Sequence, residues 1–181
     1  LHAGVAPPFG VHPDHIAQDR LRLSLPPTTT AITNADHDPP TMTDIDLTGV
    51  YPAIVTPFHD DDSIDFDRLT TLARDLEDRG VDGLVPVGST GESATLTHDE
   101  HIEVVDAVVD AVSCPVIAGA GSNSTHEAVS LSQRSADAGA DALLLLSPYY
   151  NKPEPAGMEE HFRRIADAVD LPQIVYNVPS R

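Results

Sequence analysis

The 181-residue chain is poor in cysteine, in lysine and in long apolar runs, and each shortage removes a class of function. Its single cysteine, Cys114, excludes an internal disulfide framework and a cysteine-built zinc site. That usage fits a reducing, cytoplasmic setting. No stretch of 18 or more apolar residues is present, so no transmembrane helix is expected. Basic residues number 10 against 29 acidic ones, a formal net charge of −19. Non-specific binding to nucleic acid, which needs a surplus of Lys and Arg to neutralise phosphates, is excluded. Of nine histidines, only His98 and His101 form a close helical pair, with no third ligand marked nearby, so no metal is expected.

The charges that are present have a distinctive make-up: 21 Asp against 8 Glu, and 9 Arg against the lone Lys152. A carboxylate-rich, lysine-poor surface stays soluble in concentrated salt, where screening removes its self-repulsion. A halophilic source is the simplest reading, and an acidic mesophile the ordinary alternative. Residues 1–43 differ from the rest. They hold 7 of the 16 prolines and the Thr28–Thr30 run, without helical or alternating periodicity, and are expected to be a disordered extension. No basic segment leads into an apolar one there, so a secretory signal is not expected. Met42, just ahead of the patterned region, marks a second candidate start, with residues 1–41 an upstream extension.

From Asp44 onward short apolar runs alternate with amphipathic stretches. Strands are predicted at 50–55, 83–87, 115–118, 142–146 and 173–178, with starts 33, 32, 27 and 31 residues apart. That spacing fits one strand, one helix and two loops per unit. The first helix carries Phe66, Leu69, Leu72, Ala73 and Leu76 on one face, and the fourth carries Met158, Phe162, Ile165 and Val169. Thr97-x-x-Glu100 and Ser124-x-x-Glu127 read as capping boxes for the second and third. Gly80 and Gly139 sit where helices should end. The Leu143–Leu146 run is apolar on both faces, as a parallel sheet covered by helices requires. The chain is therefore α/β, and its five units fit either a flavodoxin-like doubly wound sheet or five-eighths of a (β/α)8 TIM barrel.

Both architectures place functional groups just after the carboxyl ends of strands. There the second strand is followed by Gly88-Ser89-Thr90-Gly91-Glu92-Ser93. Two hydroxyls and several backbone N–H groups in a tight turn make a cradle for a carboxylate or phosphate. The ordinary alternative is a βα turn with cap residues, and the lysine and glycine spacing of a P-loop is lacking. Pro148-Tyr149-Tyr150-Asn151 follows the fourth strand, and Tyr176-Asn177-Val178-Pro179-Ser180-Arg181 ends the fifth. Three of the four tyrosines thus lie at strand ends. A tyrosine near a hydroxyl pair can relay a proton, and Arg181 can clamp a carboxylate in bidentate fashion.

These motifs, together with His98-Asp99-Glu100-His101 and Ala53-Ile54-Val55-Thr56-Pro57-Phe58, resemble the dihydrodipicolinate (4-hydroxy-tetrahydrodipicolinate) synthase family, in order and spacing from about Gly49 to Arg181. The family belongs to the pyruvate-dependent class I aldolases, with N-acetylneuraminate lyase. The resemblance implies a (β/α)8 barrel of which residues 44–181 form the N-terminal part. It further implies a homotetrameric lyase of lysine biosynthesis by the diaminopimelate route, condensing pyruvate with aspartate-4-semialdehyde. No separate cofactor is implied, because a Schiff base between pyruvate and a barrel lysine supplies the electron sink.

By motif position, the resemblance makes Ser89 and Thr90 hold the pyruvate carboxylate. It places Thr90, Tyr150 and Tyr176 in a proton relay, with Tyr150 reaching in from a neighbouring subunit and Tyr176 as the main acid/base group. Arg181 is implied to bind the semialdehyde carboxylate. Ser89 departs from a threonine common in the synthases, and the change keeps the hydroxyl. Lysine-inhibited members bind lysine through positions matching Ser93, Ala94, His98, His101, Asn123, Glu127 and Tyr149. Here Glu127 offers a carboxylate for an ammonium, and Asn123 and Tyr149 offer hydrogen bonds.

The family's Schiff-base lysine lies on the strand after Tyr176. The one lysine of this chain, Lys152, stands instead in the loop before Pro153. That is not where the family puts its nucleophile. The expectation is thus a fragment of a longer lyase. Two alternatives stand beside it: a lyase for a 2-keto-3-deoxy sugar acid or N-acetylneuraminate, and a non-catalytic module that binds carboxylates or lysine.

Overall fold

The computed structural model describes Ile45 and residues 47–179. The predicted disordered extension at 1–43, and Arg181, lie outside the described residues.

Four helices, α1 (Phe66–Asp78), α2 (His98–Ala111), α3 (Thr125–Asp137) and α4 (Pro155–Ala166), accompany three strands, β1 (Ile117–Gly119), β2 (Ala142–Leu146) and β3 (Gln173–Tyr176), in the chain order α1-α2-β1-α3-β2-α4-β3. The strands are parallel in the order β1-β2-β3, with Ile117 paired to Ala142 and Leu146 to Tyr176. Two predicted strands are corrected. Residues 50–55 and 83–85 join the sheet only through single parallel bridges, Ala53 to Val85 and Leu84 to Val116, and residues 86–87 already belong to the turn that follows.

Proline accounts for the interruption. Leu84 N–H donates to the Pro115 carbonyl, Ile117 N–H to Leu84 and Gly119 N–H to Pro86. The next rung of that ladder would need an N–H on Pro86, which proline lacks. The third predicted strand consequently moves from 115–118 to Ile117–Gly119, and the fifth ends at Tyr176 instead of 178.

Counting the two bridged segments, five parallel segments lie side by side in chain order. A flavodoxin-like sheet places its first strand inside and reverses direction at a switch point. No reversal occurs here. All four helices also pack on one face, with Leu69, Val104, Val108, Leu131 and Ile165 against Ile54, Leu84, Val116, Leu143 and Leu145. Unidirectional winding with helices on one side is the wall of a (β/α)8 barrel.

The helix ends follow their sequence signals with one exception. Thr97 accepts from Glu100 N–H while the Glu100 carboxylate accepts from Thr97 N–H, a complete capping box. At α3 only half the box forms. Ser124 accepts from Glu127 N–H, but the Glu127 carboxylate turns away to Ser122. Gly80 and Gly139 adopt left-handed φ of 86° and 91° just past α1 and α3, as predicted.

Candidate functional site

Because all strands run the same way, their carboxyl ends gather Ser89, Thr90, Asn123, Tyr149, Tyr150 and Tyr176 on one rim. The turn after residue 87 is closed by its own backbone. Gly91 N–H donates to Gly88, Glu92 N–H to Ser89 and Ser93 N–H to Gly88, at 3.0, 3.3 and 3.4 Å. The N–H groups of Ser89 and Thr90 have no acceptor among the described residues, and both side chains are exposed. Two free N–H groups beside two hydroxyls have the donor set an anion requires. Val87 and Glu92, at φ of 49° and 57°, bracket the turn in the left-handed region. That conformation is costly for a β-branched valine.

Backbone approach is close behind the cradle. A Cβ on Gly119 would meet the Val87 carbonyl oxygen at 2.3 Å, so only glycine lets the end of β1 pass the start of the turn. The Gly119 carbonyl accepts from His101 Nε2 at 2.6 Å, which fixes the imidazole tautomer. His101 is only 3% exposed, and burial holds its pKa below the ordinary value despite the opposing hydrogen bond. Of the predicted lysine-binding set, His98 and Ala94 are exposed, Ser93, Asn123 and Glu127 are half-buried, and His101 lies inside, anchoring β1.

The loop after β2 carries Tyr150 at φ 70° and 89% exposure, with Tyr149 beside it. Asn151 Nδ2 donates to the Asn123 carbonyl at 3.1 Å, tying this loop to the start of α3. Ser147 N–H donates to the Tyr176 carbonyl at 2.9 Å and holds β3 in register at the rim. Thr90, Tyr150 and Tyr176 share this rim, and no hydrogen bond links their hydroxyls among the described residues. Lys152 is exposed at φ 43° in the loop before α4.

Three polar residues were not singled out by the sequence. Buried Ser122 donates to Glu127 Oε2 at 2.8 Å and accepts from Ser124 N–H. Buried His161 meets Thr125 Oγ1 through Nδ1 at 2.9 Å. Burial lowers its pKa too. Thr56 Oγ1 donates to the Gly91 carbonyl at 2.7 Å. The available signal was a polar residue at an otherwise apolar position. His161 sits four residues before Ile165 on the stripe of α4, and Thr56 closes the first apolar run.

Fold and rim together define a class, a β/α-barrel protein with a turn of open N–H groups and hydroxyls among strand-end tyrosines. Residues 46–181 match the model of the dihydrodipicolinate synthetase family, and the chain belongs to that family. It is 72% identical over 141 residues to the 4-hydroxy-tetrahydrodipicolinate synthase of Haloarcula marismortui, an alignment covering 77% of this chain and 46% of that protein. Among solved structures, dihydrodipicolinate synthase from Cyanidioschyzon merolae with lysine bound is 46% identical, with a TM-score of 0.72. The chloride-inhibited enzyme from Acinetobacter baumannii complexed with pyruvate is 44% identical, also at 0.72. Each of these two covers 74% of this chain and 46% of its counterpart. The chain thus spans about half the length of the relatives it matches.

Proposed function

We propose that these residues form the pyruvate-binding and proton-relay part of a 4-hydroxy-tetrahydrodipicolinate synthase of lysine biosynthesis. The observation that carries the reading is the pair of open N–H groups and hydroxyls at Ser89 and Thr90, held on the rim that also bears Tyr176. The carboxylate of pyruvate sits on that cradle. Its ketone condenses with a lysine amine to give an iminium and water. Loss of a methyl proton then gives an enamine, whose carbon attacks the aldehyde carbon of aspartate-4-semialdehyde.

Tyr176 is the main acid/base group, with Thr90 and a neighbouring subunit's Tyr150 completing the relay. The exposure of Tyr150 suits that role, and Arg181 takes the semialdehyde carboxylate. Lys152, outward in its loop, is not the Schiff-base lysine. The assembly is a cytoplasmic homotetramer adapted to high salt, for which the charge of −19 speaks. Free lysine is its inhibitor, held by Ser93, Ala94, His98, Asn123, Glu127 and Tyr149, with His101 fixing the wall behind them.

The test has two arms. Pyruvate titrated into this chain should bind saturably, and Thr90→Val should abolish binding. The product of the whole reading frame should condense the two substrates, with Tyr176→Phe slower by about 10²–10⁴-fold. Absence of saturable pyruvate binding, or a Tyr176→Phe variant at full rate, overturns the reading.

A further inference from the structure

The cradle turn raises a physical problem that its own hydrogen bonds do not solve. Val87 is β-branched, buried and left-handed, and Glu92 is left-handed at the other end of the turn. Both conformations persist only where surroundings over-determine them. The internal bonds of Gly91, Glu92 and Ser93 close the turn on itself and do not attach it to the barrel wall. Among the described residues, one hydrogen bond reaches residues 88–92 from outside the 88–95 segment. It comes from Thr56, 35 residues earlier, whose hydroxyl donates to the Gly91 carbonyl at 2.7 Å.

Thr56 is well placed for this. It stands at the carboxyl end of the first extended segment, only 4% exposed, with Pro57 next in the chain. Gly91 is buried against the same segment, its Cβ direction facing Val87 backbone atoms and the Ile54 carbonyl at 3.0–3.2 Å. A buried carbonyl without a partner is unfavourable, so the Gly91–Glu92 peptide is held in the orientation that Thr56 satisfies. The N–H of that same peptide, on Glu92, donates to the Ser89 carbonyl, so its orientation is coupled to the Ser89–Thr90 peptide that carries the Thr90 N–H.

We propose that Thr56 is the positioning residue of the anion cradle. Its hydroxyl locks the Gly91–Glu92 peptide, so the Ser89 and Thr90 N–H groups are aimed before any ligand arrives. Thr56 itself does not touch the anion. Binding to a preformed cradle avoids the ordering cost that a loose turn would incur. The inference rests on reading Ser89 and Thr90 as the carboxylate site.

The experiment compares this chain with Thr56→Val, which keeps the shape and removes the hydroxyl, and with Thr56→Ser, which restores it. Amide hydrogen exchange is followed without ligand, and affinity is measured with pyruvate as the probe. In Thr56→Val, exchange at Gly91, Glu92 and Ser93 should rise about tenfold while amides of α3 and β2 stay unchanged. Pyruvate affinity should fall about tenfold, and Thr56→Ser should recover both.

Unchanged exchange in the turn, or equal acceleration across α3 and β2, overturns the proposal, because a general packing role would give the latter. Faster local exchange with unaltered pyruvate affinity overturns it as well. If the unaltered chain binds no pyruvate, the cradle reading itself fails, and the positioning role with it. If the unaltered chain and Thr56→Val bind alike, only the positioning role fails. Should Thr56→Val not fold, Thr56→Ala carries the same comparison against Thr56→Ser.

Discussion

The two faces of the parallel sheet are built from the same kinds of residue and meet different surroundings. On the helix side Leu143 and Leu145 are wholly buried, joined by Leu84, Val116 and Ala118. On the concave side Val85, Ile117 and Ala142 pack with Ile45, Tyr51, Leu144 and Ile174 in a much smaller cluster. Towards the rim of that side Val55 is 50% exposed, and Tyr176 is open too. The helix side is covered by elements adjacent in sequence, each α-helix folding back on the strands it connects. The concave side faces across the barrel, where contacts must come from distant strands. Local sequence can therefore complete one face unaided and leaves the other to long-range closure.

The largest test of this difference is a pair of truncations. Leu145→Ala, on the helix side, should cost about 2–5 kcal/mol of stability, since a buried cavity adds to the lost transfer energy. Val55→Ala, on the open face, should cost under about 1 kcal/mol, because that side chain remains half in water. Urea unfolding midpoints decide the matter, and equal losses would mean that the concave face is covered in solution.

A smaller effect separates the two predicted capping boxes. Thr97→Ala removes a complete box and should cost about 1 kcal/mol. Ser124→Ala, where Glu127 has turned to Ser122, should cost less; the same unfolding midpoints report both.

The smallest effect is in pH. His101 and His161 both have folded-state pKa values lowered by burial, so the unfolded chain binds protons more readily. Stability is then fully present above the ordinary histidine value near 6.5 and is lost as pH falls from there through the folded pKa. Unfolding followed from pH 7.5 to 5 should show that slope, and His101→Gln should flatten it. A slope unchanged in the variant would assign the proton uptake elsewhere.

How far the sequence could be read follows from the range of each signal. Apolar runs, helix stripes, Gly80 and Gly139 are local signals that found all four helices and three of the strands, although Val169, read as part of the fourth helix's stripe, falls beyond α4, which stops at Ala166. The first two strands were legible as extended segments but not as bridged fragments, because Pro86 breaks a ladder whose partner lies some 30 residues away. The Ser124 box misled because a nearby serine, Ser122, competed for the Glu127 carboxylate. At the site, the cradle turn and the strand-end tyrosines were visible as motifs. Thr56 was not, since a single hydroxyl at a strand end has no periodicity.

The sequence by itself determined the α/β alternation, the helix caps, the acidic surface and the residue types on the rim, all of which depend on neighbours within a few positions. Between barrel and doubly wound sheet, which periodicity left open, the family motifs already pointed to the barrel, and the tertiary structure showed its strand order across segments some 30 residues apart. The tertiary structure alone buried His101 against Gly119 and brought Thr56 to Gly91. Those contacts span 18 and 35 residues, distances over which no local preference operates and only packing selects a partner.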